Sequence, residues 1–426
     1  MKEKYRQSYR SMMLSKQPTP APAVDNQPTV VERVITLTMA GLAVAYIAGL
    51  IIAVALHLWP YDRTGHPVMT DFLVFWISGH LALHGAAHVA YVEHLLHLAE
   101  VQTVGHGVPA RLPWSYPPLF LCVAVVLASL PFALSFALWN CVTFISYTGV
   151  MAAITKRPAV ALAAAACPWA TVCLYIGQEG LFSASIVGGT LLLLNRRPAM
   201  SGLLLGLLSF KPQLGILFPV ALAFGGYWRA MAWACAATLA WTAASSSAFG
   251  FSTLLDFFHG LASATDSFLI RDGIGWYNFQ SVYALSRWFG APGAICWTIQ
   301  AIASIAGIGG IAALWRSNCP FSLKAAGLAA AIPLAVPYVF VYDQCVLGVA
   351  FGFLIRQRRL DIFEYSALMF MFLITSFAWS KNPMAALATV AACVLVVRRA
   401  LLERRDTSRT MLFDAEPVSA AQPYAA

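Results

Sequence analysis

The chain has 426 residues, 60% of them hydrophobic and only 11% charged, against ~25% charged in ordinary soluble proteins. With a mean hydropathy of +0.71, no soluble core could hide the apolar surface, so lipid is the solvent for most of the chain. That excludes a cytosolic enzyme, a disulfide scaffold, a coiled coil and a disordered protein. No alternation in blocks of ~10 residues suggests an outer-membrane barrel. The net charge of +9 does not mark a nucleic-acid groove, because the basic residues sit in short clusters between apolar runs, as the positive-inside rule leaves them.

In chain order, residues 1–33 form a polar tail with the Pro-rich stretch Gln17-Pro-Thr-Pro-Ala-Pro22. It is too long for the n-region of a cleavable signal, so Val34–Trp59 is expected as a retained first membrane helix. A polar interruption, Pro60–Pro117, follows. Its Asp71–Leu83 and His88–Val104 segments have the pattern of amphipathic helices lying on the membrane surface. In the second, Leu95, Leu98 and Val101 are expected on one face, with His94 and His97 on the other. Pro117–Pro131 is too short for an ordinary crossing and reads as an interfacial or re-entrant segment on the same side.

Further spans are expected near 132–154, 158–176, 180–194, 199–212, 213–228, 230–249, 293–315, 322–341, 344–355, 361–379 and 383–400. The fold class is therefore an all-α polytopic membrane protein of about twelve transmembrane helices, with residues 34–400 embedded and 401–426 a disordered cytoplasmic tail. With both termini inside, 21 of the 27 Lys and Arg residues fall inside, including Lys156-Arg157, Arg196-Arg197, Arg356 and Arg398-Arg399. Every histidine falls outside.

The chemistry-bearing residues gather on the outer face. Asp71, within Val68-Met-Thr-Asp-Phe-Leu-Val-Phe-Trp76, is a carboxylate among large apolar side chains. Such a group must be paired or used, and a helix N-cap is the plainer account. Tyr116-Pro-Pro118, Gly177-Gln-Glu179 and Lys211-Pro-Gln213 interrupt apolar runs, and Lys211 breaks the charge rule at membrane depth. A cation there suits a lipid phosphate, or it is a lysine snorkelling from a helix end. Asp343 sits at the outer end of a helix, and Arg271, Asp272 and Asn278-Phe-Gln-Ser281 lie in the last sizeable outer loop. His80, His84 and His88 have a helical spacing but no completing carboxylate or cysteine, and read as surface histidines. The nine cysteines contain no CxxC and read as apolar filler.

In this order, Asp71, Tyr116-Pro-Pro118, Gly177-Gln178, the run Arg197-Pro-Ala-Met-Ser-Gly-Leu-Leu-Leu-Gly-Leu-Leu-Ser-Phe-Lys-Pro-Gln213, Tyr277-Asn-Phe-Gln-Ser281 and Pro337…Tyr342-Asp343 resemble glycosyltransferase family 87 of the GT-C class. The likeness spans roughly residues 34–400. It implies a GT-C-like bundle in a bacterial inner membrane. It also implies a polyprenyl-phosphate-sugar donor, often mannose, and transfer on the outer side. An acidic catalytic residue in the first outer loop maps onto Asp71. Many members carry His where this chain has Tyr342-Asp343, so a histidine-dependent role does not transfer.

The residues suit that chemistry independently. A lipid phosphate leaves as a stable anion, so one carboxylate suffices, taking the acceptor's proton, while cations meet the phosphate. The expected roles are Asp71 as general base, and Lys211 and Arg271 on the donor phosphate. Tyr116, Gln178, Gln213, Asn278, Gln280 and Asp343 are expected to position substrate. No cofactor is expected, a divalent metal is left open, and the partners are the bilayer, the lipid-linked donor and a glycan or lipid acceptor. The competing reading is a multi-spanning transporter or lipid flippase, which predicts mid-membrane charges and duplicated halves; no duplication is visible.

Overall fold

In the computed structural model the described residues are 30–68, 70–104, 112–269, 275–357, 360–376 and 381–414. Among them there is no strand beyond an isolated bridge between Tyr61 and Pro67. The helices are α1 Val30–Ala55, α2 Asp71–Leu83, α3 Glu93–Val104, α4 Pro118–Ala128, α5 Phe132–Thr155, α6 Pro158–Ala165, α7 Pro168–Ile176, α8 Gly180–Leu193 and α9 Pro198–Leu207. Then come α10 Phe218–Gly225, α11 Trp228–Phe249, α12 Phe251–Leu269, α13 Val282–Trp288, α14 Gly293–Arg316, α15 Phe321–Ala331, α16 Cys345–Gln357, α17 Ile362–Ser376 and α18 Ala386–Asp414. The chain divides after Thr38, inside α1, and the site lies wholly in the second unit.

Two helices among the described residues, α5 and α14, are both long and apolar enough to cross a membrane alone. Other expected spans are interrupted, and proline accounts for much of this. The expected 158–176 span breaks into α6 and α7 at Pro168; the expected 199–212 and 213–228 spans part at Lys211-Pro212, as expected, and the second breaks again after the Pro212–Gly215 turn, before α10. A proline removes a backbone donor and crowds the preceding turn, so the chain restarts as a new helix with Pro in its first turn. The expected 322–341 span stops at Ala331, before Pro333 and Pro337. These interruptions become the site.

Three expectations need correction. First, α2 is not a surface helix: Phe72, Leu73, Val74, Phe75, Ile77, Ser78 and Gly79 are buried. Four consecutive buried residues cover every side of a helix, which is the signature of a core element. The cover is α4, the short Pro-bracketed segment, with Phe120, Leu121 and Ala124 at 0% exposure. Rings interlock around α2: Phe75 lies 5.0 Å from Phe120 of α4, Phe72 lies 5.0 Å from Phe136 of α5, and Trp76 Nε1 donates to the Leu130 carbonyl between them at 3.0 Å. Second, α3 packs Leu96, Glu100 and Val104 into the protein, a face that the expected division between Leu95, Leu98, Val101 and His94, His97 leaves out. The sequence hid this because one inward position is a glutamate. Third, α18 runs to Asp414, so residues 401–414 are helical where a disordered tail is expected.

α5 is the long post of the second unit. Near its start, Trp139 Nε1 donates to the Gly177 carbonyl at 2.9 Å. Near its end, the Ile154 carbonyl accepts from Arg356 Nη1 at 3.4 Å. α16 runs alongside, from the Asp343-Gln344 turn to Arg356-Gln357. Beyond it, the Arg399 guanidinium reaches the Leu354 carbonyl at 2.5 Å. The basic clusters Lys156-Arg157, Arg356 and Arg398-Arg399 thus gather at one end, and the helix breaks carrying Gln178 and Asp343 at the other.

Candidate active site

The site is assembled from five chain interruptions. Asp71 is the first residue of α2, with Thr70 as the cap residue. Its side chain does not cap the helix. Instead, Asp71 Oδ2 accepts from Gln178 Nε2 at 2.9 Å. A carboxylate in the first turn also sits favourably against the helix dipole. Tyr116 ends the segment before α4, and its hydroxyl lies 3.1 Å from Gln178 Oε1 and 3.4 Å from Glu179 Oε1.

Gln178 and Glu179 occupy the sharp turn between α7 and α8. Two glycines make that turn. Gly177 has φ +70°, and a Cβ there would lie 2.5 Å from the Phe72 Cβ. A Cβ on Gly180 would lie 2.1 Å from the Tyr342 carbonyl oxygen. Any side chain at either position would push the turn off α2 or off the Tyr342-Asp343 segment.

Lys211 sits where α9 and the turn after it give way to Pro212. It is 3% exposed. Its ammonium donates to Glu179 Oε1 and, at 2.5 Å, to Asp343 Oδ1, and it lies 4.9 Å from the centre of the Tyr342 ring. Ser183 donates to the other Glu179 oxygen at 2.5 Å, and the Phe340 N–H donates to Asp343 Oδ2 at 2.9 Å. One ammonium therefore serves two buried carboxylates. These two carboxylates offset its charge, which leaves one of its three N–H donors without a partner among the described residues.

Asp71 differs from these neighbours in being half-buried. Among the described residues Gln178 is its one side-chain hydrogen-bond partner, and that bond is to Oδ2, so Oδ1 has none there. Crowding by protein atoms raises its pKa above the usual carboxylate value, partly offset by the Gln178 hydrogen bond and the Lys211 charge. Burial likewise raises the Tyr116 phenol, with Glu179 adding to it, so the hydroxyl stays a proton donor.

The structure thus brings Asp71, Tyr116, Gln178, Lys211 and Asp343 together. The remaining expected residues stand elsewhere. Gln280 is 2% exposed and braces the Asn382–Ala385 segment, donating to the Asn382 carbonyl at 2.9 Å and accepting from the Ala385 N–H at 3.0 Å. Asn278 lies beside it, its amide donating to the Gly275 carbonyl at 3.3 Å. This stretch adjoins the site through Phe279, whose ring is 4.7 Å from Phe340. Gln213 is half-buried on the Pro212–Gly215 turn, outside the network. Arg271 and Asp272 lie outside the described residues. His80, His84 and His88 are exposed, and no group of three His, Cys, Asp or Glu side chains among the described residues could hold a metal ion.

Glu179 was given no role by sequence reasoning, although a signal existed. A carboxylate inside an apolar run needs a cation, and Lys211 is the misplaced cation that supplies it.

The sequence profile of glycosyltransferase family 87 matches residues 114–337, more than half of the chain. The chain belongs to that family. It is accordingly a glycosyltransferase, all-helical and with membrane-length apolar helices. Tyr116, Gln178, Glu179 and Lys211 fall inside the matched residues; Asp71 and Asp343 fall outside and are joined to them by the fold. No curated protein and no solved structure matches the chain.

Proposed function

We propose that this glycosyltransferase moves a hexose, mannose first among candidates, from a polyprenyl-phosphate donor to an acceptor hydroxyl. The reaction inverts the anomeric carbon. The acceptor oxygen attacks that carbon as its bond to the phosphate oxygen breaks, the lipid phosphate leaves as an anion, and the acceptor proton passes to Asp71. The observation that carries this reading is the Asp71 carboxylate. It is half-buried, raised in basicity, held through one oxygen and free at the other. A single base suffices because the leaving phosphate needs no proton.

Lys211 serves the site differently from the role its sequence suggests. Held by Glu179 and Asp343, it acts as the internal counter-ion, and direct contact with the donor phosphate passes to the outer-loop Arg271. Asp343 positions the lysine. Tyr116 lines the approach to Asp71 and Gln178 holds the Asp71 carboxylate, while Gln213, Asn278 and Gln280 support surrounding loops.

The two ends of α5 support the proposed sidedness. Trp139 meets the site and Ile154 meets the basic clusters, fifteen residues apart, roughly 22 Å at 1.5 Å per residue. That separation approaches the ~30 Å of a hydrocarbon core. It supports a membrane-crossing α5 with the basic end in the cytoplasm and the site facing outward; the proposed setting is a bundle of about twelve crossings in a bacterial inner membrane.

The test is transfer by the purified chain in lipid nanodiscs, offered polyprenyl-phosphate hexoses or nucleotide sugars with a panel of glycan and lipid acceptors. Glycosidic product from the lipid-linked donor alone is expected. Product from nucleotide sugars, or lipid movement without a new glycosidic bond, would overturn the reading.

A further inference from the structure

We infer that Gln178 and Glu179 together form the positioning device of the Asp71 base, the amide aiming the carboxylate and Glu179 tying that amide to the Lys211–Asp343 charge system. This deepens the proposed function and rests on Asp71 being the base.

The orientation of the Gln178 amide is decided by its neighbours. Its oxygen faces two donors, the Tyr116 hydroxyl at 3.1 Å and the Glu179 N–H at 3.1 Å. Its nitrogen must then face Asp71, where it donates at 2.9 Å. The backbone is pinned as well: the Gln178 N–H donates to the Cys173 carbonyl at 2.9 Å, and the Cys173 thiol donates to the Gln178 carbonyl at 2.9 Å. Gln178 is 5% exposed and Glu179 0%. A side chain so enclosed is built to hold a neighbour, not to receive a sugar.

Glu179 does the second half of the work. Its carboxylate collects Lys211, Ser183 and the Tyr116 hydroxyl, so Glu179 fixes the cation and the phenol at once, and that phenol and the Glu179 N–H hold the Gln178 oxygen. The amide also separates two carboxylates that would compete for a proton if they touched. The charged and titratable groups around Asp71 are Tyr116 before α4, Glu179 before α8, Lys211 before Pro212, and Tyr342 and Asp343 before α16.

This arrangement predicts opposite pH responses from two nearly isosteric changes. Gln178→Glu places a second carboxylate against Asp71, so the pair shares a proton and the acidic limb of kcat/KM moves up by about one unit or more. Glu179→Gln removes a negative charge near Asp71, so that limb moves down. Glu179→Asp keeps the charge and the wild-type limb, even where its longer reach to Lys211 lowers the rate. Gln178→Leu lowers kcat by about 10²-fold with little change in donor KM, the signature of a misaimed base.

The experiment is a pH–rate profile of the four variants and wild type in nanodiscs, beside Asp71→Asn and with thermal midpoints recorded. Opposite shifts for Gln178→Glu and Glu179→Gln support the inference. Uniform loss at every pH, shifts in the same direction, or a raised donor KM with kcat intact would overturn it. If Glu179→Gln fails to fold, the upward shift in Gln178→Glu and the unmoved limb of Glu179→Asp decide. Transfer that survives Asp71→Asn removes the base and this inference with it; unmoved limbs beside an inactive Asp71→Asn remove the inference alone.

Discussion

Two buried ionic groups stand at opposite ends of α16, and they solve the same problem differently. At the far end, Arg399 is 0% exposed and holds Glu364 through two bonds, Nε at 2.6 Å and Nη2 at 2.9 Å. Arg398 adds the half-exposed Asp361 at 2.6 Å, so two cations meet two anions, and Arg399 Nη1 donates to the Leu354 carbonyl. At the site end, one ammonium serves Glu179 and Asp343, with Asp71 close by as a third carboxylate. The first group is balanced. The second carries an excess of negative charge, and its outermost member is partly open to solvent. A balanced buried pair joins helices, whereas a surplus of carboxylates around one cation raises proton affinity, which a general base requires.

The largest effect expected is chemical. Asp71→Asn should lower transfer by roughly a thousandfold, within the range of general-base contributions, while the thermal midpoint stays within a few degrees. A variant that keeps its activity would make the site end as structural as the far end.

Lys211→Met should destabilise by about 3–5 kcal/mol, because it strands two buried carboxylates, and Arg399→Met by less, because Arg398 still reaches Glu364 at 3.4 Å. Thermal unfolding in detergent micelles measures both. Apolar replacement of the partners sharpens the contrast. Arg399→Met with Glu364→Leu should recover most of the stability and retain transfer. Lys211→Met with Glu179→Gln and Asp343→Asn should recover stability without transfer. Recovery of activity in the triple variant would erase the distinction between the two ends.

The smallest effect concerns α3. Burial pushes the Glu100 carboxyl up to about 7, against the pull of His97, whose Nδ1 lies 3.2 Å away. A carboxyl whose folded pKa lies above its unfolded value contributes stability below the unfolded value, and loses it as pH rises through the folded value. Thermal midpoints should therefore fall between pH 5 and 8. Glu100→Gln should flatten that slope, and an unchanged slope would show that Glu100 does not titrate in the fold.

The strongly apolar, helical character of the chain was legible in the sequence, and the family from ordered motifs around Tyr116, Gln178 and Lys211. Asp71 stood out because a carboxylate among Phe and Trp side chains needs a purpose. The burial of α2 was not legible. Its cover, α4, is a short Pro-bracketed run that can lie on a membrane or on another helix, and only packing chooses between them. The partners of Lys211 were equally hidden, because Glu179 and Asp343 are 32 and 132 residues away from it.

Composition and periodicity determined what is local: how much of the chain avoids water, where proline interrupts a helix, and which polar residues sit among apolar ones. Those properties depend on each residue and its near neighbours. Tertiary structure decided which charges meet, because a carboxylate in an apolar run demands a cation without naming one, and closure of α2, α8 and α16 around Lys211 makes the choice.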